Sequence, residues 1–310
     1  SGGTKLSFSD LLMSKTTSQW ENKDKDARKA MEGLEKKVYD CGFKINTDFI
    51  LKTCLFLFND NIKFQIKNFK VDMIKKFEDN WDRIDDSIVA AFNLLKSWGF
   101  DELNLTSKNA VIPIVFYIYT KGIETEITKP TYNKDEKEQI RKWLCLSLLK
   151  KVFGGQSDTI LTKIKSVMNE TEEKGFPFKD IKEAFKGNPT KNLYLTSDYI
   201  DSLLHTDIDD PYCYSILSLL YAHLDYNNQR FHKDHLHPKS YFTRLRKKDD
   251  MDEDTYKFYK DKTNYNSVVN LQLLNEFVNE SKNASSLKEW IENNNIDKKL
   301  GMLILDVKGN

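Results

Sequence analysis

Apolar side chains recur at helical spacing through much of the first half of the chain. One stripe comprises Ala30, Met31, Leu34 and Val38, and the same spacing returns between residues 49 and 57. A stripe of this period is typical of amphipathic helices that bury one face. Only 12 Gly and 6 Pro interrupt the 310 residues, so helices joined by short polar loops are expected. The sequence predicts a mainly α, multi-helical fold.

Several further segments show capping or stop signals of helices. Asp85-Asp86 and Gly99 delimit one, Gly154-Gly155 closes another over 135–152, and Asp209-Asp210-Pro211 precedes a third over 211–224. A fully buried helix is expected over 109–119. The clearest breaks are Phe176-Pro177 and Gly187-Asn188-Pro189. We therefore expect two domains, a helical region over 1–190 and a second domain over 191–310.

Charge and cysteine content restrict the class of protein. The net charge is +1, so any nucleic-acid contact must rest on local basic residues. The four cysteines form no Cys-x-x-Cys pair and are expected to be reduced core residues of a cytoplasmic protein. The longest apolar run, 110–119, is too short to cross a membrane. Ser1-Gly2-Gly3 is typical of expression cloning, so we expect the chain to start inside a longer protein.

Three of the five histidines lie within six residues, between positions 232 and 237. The cluster contains Asp234-His235-Leu236-His237-Pro238, and Asn270, Asn279 and Lys282 follow at intervals. Patterning favours a strand over 229–236, a second strand over 268–273 and a helix over about 275–282. The sequence thus predicts a small ββα unit in the C-terminal third.

These residue types suit phosphodiester hydrolysis, which needs an activated water, a base and a cation. In a ββα unit, Asp234 and Asn279 are placed to hold a metal ion, and His235 is placed to activate the water. Asn270 is expected to hydrogen-bond across the loop that carries His235 and to orient its imidazole. Because oxygen ligands dominate, the expected metal is Mg²⁺ or Mn²⁺ rather than Zn²⁺.

Other charged residues near this unit allow two interpretations each. His237 and Lys282 are candidates for phosphate or metal contact, although His237 is equally well explained as a packed or solvent-facing histidine. The basic residues are candidates for DNA backbone contact, or they form a solvated loop neutralised by the acidic run 249–254. They are Lys239, Arg244, Arg246, Lys247 and Lys248.

The Asp-His-x-x-Pro, Asn and Asn-x-x-Lys pattern resembles HNH nucleases with a ββα-metal motif. Nearly the whole chain resembles the C-terminal part of GmrSD-type modification-dependent (type IV) restriction endonucleases. Leu6-Ser7-Phe8-Ser9-Asp10 with Trp20, and the segment 48–55, are similar to the region between that family's ParB-like domain and its HNH domain. The resemblance implies a defence endonuclease that acts on foreign, often base-modified, phage DNA.

Two departures from that family are visible. The Asp-Gly-Gln-Gln-Arg type motif of the ParB-like domain is not found, so the resemblance implies that any NTP use belongs to a missing N-terminal domain. Val269 stands where the family usually has glycine. The rival interpretation is a non-catalytic DNA-binding or protein-interaction module with a vestigial HNH motif. The sequence does not indicate an oligomeric partner.

Overall fold

A computed structural model of the chain describes residues 8–21, 26–60, 62–171, 175–226, 228–275, 282, 285 and 287–293. It is mainly helical with one small antiparallel sheet, as the sequence predicts. Contacts divide the chain into two units. One comprises residues 1–195 and 225–228, and the other comprises 196–224 and 229–310. The predicted domain boundary at 190 lies five residues before this division.

The first unit is built from helices. They are α1 (Phe8–Gln19), α2 (Ala27–Asp40), α3 (Thr47–Phe58), α4 (Val71–Asp79), α5 (Trp81–Ser97), α6 (Ile112–Lys121), α7 (Lys134–Leu149), α8 (Ser157–Glu170) and α9 (Phe178–Ala184). Short 3-10 turns lie at Ile66–Asn68 and Lys108–Val111. α6 is apolar almost throughout and packs against α3, α5 and α8, as its sequence predicts for a central helix.

One predicted helix start is wrong. α5 begins at Trp81, so Asp85 lies within the helix instead of capping it. Its carboxylate is buried and pairs with the Lys37 ammonium at 2.8 Å. Burial raises the pKa of Asp85, and the hydrogen bond from Lys37 opposes that shift. Asp85 thus contacts α2 through Lys37, and Gly99 follows the helix with a φ of 83°.

Cysteine burial agrees with the sequence prediction. Cys41, Cys54, Cys145 and Cys213 are all buried and free of disulfides. Burial raises the pKa of the Cys213 thiol to about 12, which keeps it protonated at neutral pH. Within the described part of the chain, every helix is too short or too polar to cross a bilayer.

The second unit contains a two-stranded sheet at the two predicted strands, whereas most of the predicted helix over 275–282 lies outside the described residues. Its elements are α10 (Ser197–Leu204), α11 (Cys213–Leu220), β1 (Phe231–His235), α12 (Lys239–Arg244), α13 (Glu253–Lys260), α14 (Lys262–Tyr265), β2 (Leu271–Asn275) and α15 (Leu287–Asn293). The strands are antiparallel, with Asp234 opposite Gln272 and His235 opposite Leu271. α11 packs against β2, whose first four residues are buried.

Several element bounds differ from the sequence predictions. The second strand starts at Leu271 because Val268–Asn270 forms a 3-10 turn, and it continues to Asn275, where a helix was predicted to begin. The predicted helix over 211–224 is limited to Cys213–Leu220. The charged segment after β1 forms three short helices, with the stretch 245–252 outside them.

Candidate functional site

Asp234 and His235 occupy the last two positions of β1. The Asp234 carboxylate is 15% exposed, and its Oδ2 accepts hydrogen bonds from Gln272 Nε2 at 3.0 Å and from the Lys282 ammonium at 2.6 Å. Lys282 is 1% exposed and also donates to the backbone carbonyl of His235. Lys282 was predicted as a phosphate or metal contact. Instead, its ammonium is buried and spans the two neighbouring residues of β1.

The His235 imidazole is held by a polar side chain that the sequence analysis did not select. His235 Nε2 lies 3.0 Å from Asn266 Oδ1, and Asn266 Nδ2 donates to Asp207 Oδ2 at 2.9 Å. Asp207 also accepts from the Asp209 amide and pairs with Lys262 at 3.3 Å. His235, Asn266 and Asp207 therefore form a continuous hydrogen-bonded chain.

This chain sets the tautomer of His235. Burial raises the pKa of Asp207, but hydrogen bonds from Asp209 and Asn266 and the Lys262 ammonium outweigh it, so the pKa lies below its usual range. An ionised carboxylate only accepts hydrogen bonds, so it fixes the amide nitrogen of Asn266 toward itself. The Asn266 oxygen then faces the ring, and His235 Nε2 must carry the proton. In the neutral ring the other nitrogen, Nδ1, then carries the lone pair that can accept a proton.

The polypeptide backbone supports the same arrangement. Asp207 pairs with Ser267 in an isolated antiparallel bridge, and the Ile208 amide donates to the Asn266 carbonyl at 2.9 Å. Asn266 itself is almost fully buried. The segment before α11 thus forms a third strip beside the two strands, and it brings Asp207 within reach of a residue 59 positions later in the chain.

Asn270 fixes the turn that follows β1. Its Oδ1 accepts from the His237 amide at 3.0 Å, and its Nδ2 donates to the carbonyls of His237 at 2.9 Å and Tyr265 at 2.8 Å. Every hydrogen-bonding position of the amide except one acceptor lone pair is used. Asn270 reaches the loop that carries His235, as expected, but the imidazole itself is bonded to Asn266.

The remaining predicted site residues lie on the surface around α12. His237 was predicted to share a strand face with His235, but β1 ends at His235, so strand alternation does not apply. His237 is exposed and borders an apolar pocket. Lys239 and Arg244 lie on α12, and residues 246–248 follow it; all five basic side chains are exposed. Lys247 pairs with Glu253 at 2.7 Å.

The predicted metal ligands are only partly described. Asn279 lies outside the described residues. Among the residues that are described, no group of three His, Cys, Asp or Glu side chains converges. Asp234 Oδ1 has no hydrogen bond to any of them, and the neighbouring Gln272 Oε1 is buried without a partner. Both oxygens suit a hard divalent cation, so these donors fit Mg²⁺ or Mn²⁺ as part of a ligand set.

The residues missed by sequence reasoning are Asp207, Asn266 and Gln272. Asp207 was passed over because the following Asp209-Asp210-Pro211 is typical of a helix start. Gln272 alternates with apolar residues in β2, which favours an outward-facing strand position, yet it is 1% exposed. The sequence offers one sign of Asn266, which is its place four residues before Asn270 in the same turn-rich segment. The structure shows that its side chain is buried.

Comparison with known proteins adds no assignment to this geometry. The chain matches no protein-family model and no curated protein sequence. A functional assignment therefore rests on the named residues and their contacts.

Proposed function

We propose that the chain is a metal-dependent DNA endonuclease that hydrolyses phosphodiester bonds through a one-metal HNH mechanism. The observation that carries the proposal is the hydrogen-bonded chain from Asp207 through Asn266 to His235. It supplies an oriented imidazole with a proton-accepting nitrogen, directly beside a carboxylate that has one oxygen available. A general base and a carboxylate at one strand end are what hydrolysis of a phosphodiester requires.

In this mechanism His235 Nδ1 accepts a proton from water as the water oxygen forms a bond to phosphorus. One ester P–O bond breaks, and the leaving oxygen takes a proton from solvent. The imidazolium that forms keeps donating from Nε2 to Asn266 Oδ1, while the Asp207 carboxylate stabilises the positive charge through Asn266. Lys282 and Gln272 hold Asp234 in place through its Oδ2.

Asp234 and Asn279 are the residues proposed to hold Mg²⁺ or Mn²⁺, which when bound supplies positive charge to the phosphate and the leaving oxygen. The pairing of Lys282 with Oδ2 leaves Oδ1 as the oxygen of Asp234 for this role. Lys282 acts on the site by positioning Asp234, because its buried ammonium is engaged at both residues of the strand end.

The resemblance to GmrSD-type enzymes supports foreign DNA as the substrate and antiviral defence as the biological role. We infer a cytoplasmic antiviral defence nuclease of the type IV restriction class, acting on foreign or modified phage DNA. NTP use, if the intact protein has it, belongs to the ParB-like domain implied by the resemblance. Comparing this chain with a longer form that includes that domain, on modified and unmodified DNA with and without NTP, tests this division of roles.

The alternative is a DNA-binding or protein-interaction module with a vestigial motif. It is favoured by one observation only, the buried ion pair between Asp234 and Lys282, because a carboxylate held by an ammonium competes with a cation for the same group. A structural ion pair of this kind needs no metal.

Nicking of supercoiled plasmid DNA distinguishes the two. We expect cleavage that requires Mg²⁺ or Mn²⁺ and that His235→Ala abolishes while DNA binding is retained. His205→Ala, at an exposed histidine that follows α10, is the matched control and should cleave normally. Absence of metal-dependent cleavage by the native chain would favour the alternative.

A further inference from the structure

An apolar pocket of about 350 Å³ opens between α12 and α13. Its described lining combines aromatic, aliphatic and imidazole side chains without a carboxylate, although the Tyr241 hydroxyl lies 3.5 Å from Glu289 Oε2. The lining residues are His237, Tyr241, Phe242, Leu245, Met251 and Tyr259. Its volume lies at the lower end of the range of small-molecule pockets.

The aromatic side chains of this pocket are arranged for contact with a planar ligand. Phe242 forms the inner wall, because it stacks on Tyr265 with ring centroids 5.3 Å apart and planes 6° from parallel. Tyr241 and Tyr259 stand at the mouth and are 50% and 40% exposed. Exposed rings beside a supported ring are the arrangement that stacks an unpaired base.

The pocket is tied to the proposed reaction centre. His237, one of its walls, is two residues beyond His235, so the two Cα atoms are at most about 7 Å apart along the chain. The three hydrogen bonds of Asn270 fix the backbone of His237 on one side and Tyr265 on the other. A ligand in the pocket therefore contacts a residue two positions from His235, on a backbone segment that Asn270 holds in place.

Positive charge lies on one side of the pocket, on and just after the helix that lines it, while the exposed carboxylates of Asp250 and Asp252 flank Met251 on another side. Lys239 and Arg244 lie on α12, and Arg246 and Lys248 follow it, all exposed. None of these four makes an ion pair with a residue that the structure describes, in contrast to Lys247. Unpaired basic side chains beside an aromatic pocket are complementary to a nucleic-acid backbone whose bases are unstacked.

We propose that this pocket binds one unstacked base of the DNA substrate, next to the phosphate to be cleaved. The inference rests on the proposed function, since it takes DNA as the ligand. It adds that the chain engages single-stranded, mismatched or base-modified positions, where a base leaves the stack at lower cost. A modified base would carry its substituent into a pocket lined in part by the apolar side chains of Leu245 and Met251.

Fluorescence of 2-aminopurine in a single-stranded oligonucleotide tests the pocket without catalysis. The protein carries His235→Ala, divalent metal is removed by chelation, and we expect binding with quenching of the base. Tyr241→Ala and Tyr259→Ala should each weaken binding about 5- to 150-fold and relieve the quenching. Tyr259→Phe, which keeps the ring, should retain both, and Tyr39→Ala, at an exposed tyrosine of the first unit, is the control.

Each result bears on the pocket or on the nuclease separately. Quenching that persists in Tyr241→Ala and Tyr259→Ala, or binding without quenching by the parent protein, would overturn the pocket assignment. Ring-dependent quenching in a protein that never cleaves DNA with Mg²⁺ or Mn²⁺ would leave the pocket standing and remove the nuclease. If Tyr241→Ala and Tyr259→Ala are made with His235 intact and both keep full metal-dependent cleavage, the nuclease would stand and the pocket assignment would fall. Circular dichroism of each variant shows that the fold is kept.

Discussion

The ammonium of Lys282 lies 2.6 Å from Asp234 Oδ2 and is almost completely removed from solvent. A charge buried this deeply is stable only while its partner is present. The pair therefore joins the Lys282 side chain to the end of β1.

Removing the ammonium should destabilise the second unit. We expect Lys282→Met to lower the free energy of unfolding by about 3 kcal/mol, because it leaves the Asp234 carboxylate half of a broken buried pair. The double variant Asp234→Asn, Lys282→Met should lose less than the sum of the two single variants. Urea unfolding of the four proteins measures this, and strictly additive losses would show that the pair is not coupled.

The tautomer assignment can be checked apart from activity. We expect nitrogen NMR to show that the neutral ring of His235 carries its proton on Nε2 and not on Nδ1, and Asn266→Ala to mix the two tautomers. In the proposed nuclease the same variant should lower kcat about 10- to 100-fold with unchanged DNA affinity. A ring that keeps its tautomer in Asn266→Ala would remove the role given to Asn266 and Asp207.

Replacing Asn270 should lower the stability of the fold, since its side chain bonds the backbone and not the His235 ring. Its side chain is buried and makes three hydrogen bonds to the backbone, each worth about 1 kcal/mol. Asn270→Ala should therefore lower the free energy of unfolding by about 2 to 4 kcal/mol. Hydrogen exchange should accelerate first at the His237 amide. Equal protection of that amide in both proteins would contradict the bracing role.

Replacing an exposed basic residue with a neutral one should weaken DNA binding. The effect should be larger for a residue that makes no ion pair than for one that already has a partner. We expect Arg244→Gln with Arg246→Gln to reduce the dependence of log K on log salt by about 0.9 for each DNA phosphate that the variant no longer neutralises. Lys247→Gln should have a smaller effect, since Lys247 already pairs with Glu253. Identical slopes in all three proteins would identify the run as a solvated loop.

Because of Lys165, the free energy of unfolding of the first unit should depend on pH. Its ammonium is buried, donates to the Asn59 carbonyl at 2.9 Å and lies 5.8 Å from the ring centres of Phe56 and Phe116. Burial lowers its pKa to about 8. Above that pH the folded protein releases this proton while the unfolded chain, with a pKa of about 10.4, still holds it, so unfolding becomes less favourable as pH rises.

The stability of the native protein relative to Lys165→Met should therefore rise between pH 8 and 10, by an amount on the order of 2 kcal/mol. Comparing the two proteins cancels the contributions of cysteines and tyrosines. Lys163→Met, at an exposed lysine of the same helix, should track the native protein. Parallel curves for the native protein and Lys165→Met would contradict the lowered pKa.

Sequence periodicity predicted the helical class because α2, α3 and α6 each bury an apolar face or surface. It failed at α5, where Asp85 is satisfied by Lys37 from another helix instead of by a helix end. The second strand begins later than predicted because residues 268–270 form a 3-10 turn, in which the Asn270 side chain bonds the backbone of His237, 33 positions earlier in the chain. Such contacts leave no local pattern.

The same reason explains what was found and missed at the site. Asp234 and His235 were selected because they are adjacent within the histidine cluster, and Asn270 was selected because it belongs to the same motif pattern further along the chain. Asp207 reaches Asn266 across 59 positions, and no spacing rule connects a residue before α11 with a turn before β2. Gln272 was hidden by its place in an apolar strand, where its amide meets Asp234.

The antiparallel pairing of Asp207 with Ser267 limits how this site can be transferred to another protein. A fragment that begins just before β1 would keep Asp234, His235, Asn266 and Asn270. It would therefore still contain all the residues of the sequence motif. It would lose the Asp207 carboxylate, which fixes the orientation of the Asn266 side chain. Either the oxygen or the nitrogen of the Asn266 amide could then face the His235 ring. The smallest portable form of this centre therefore begins upstream of Thr206, about 25 residues before the motif itself is visible.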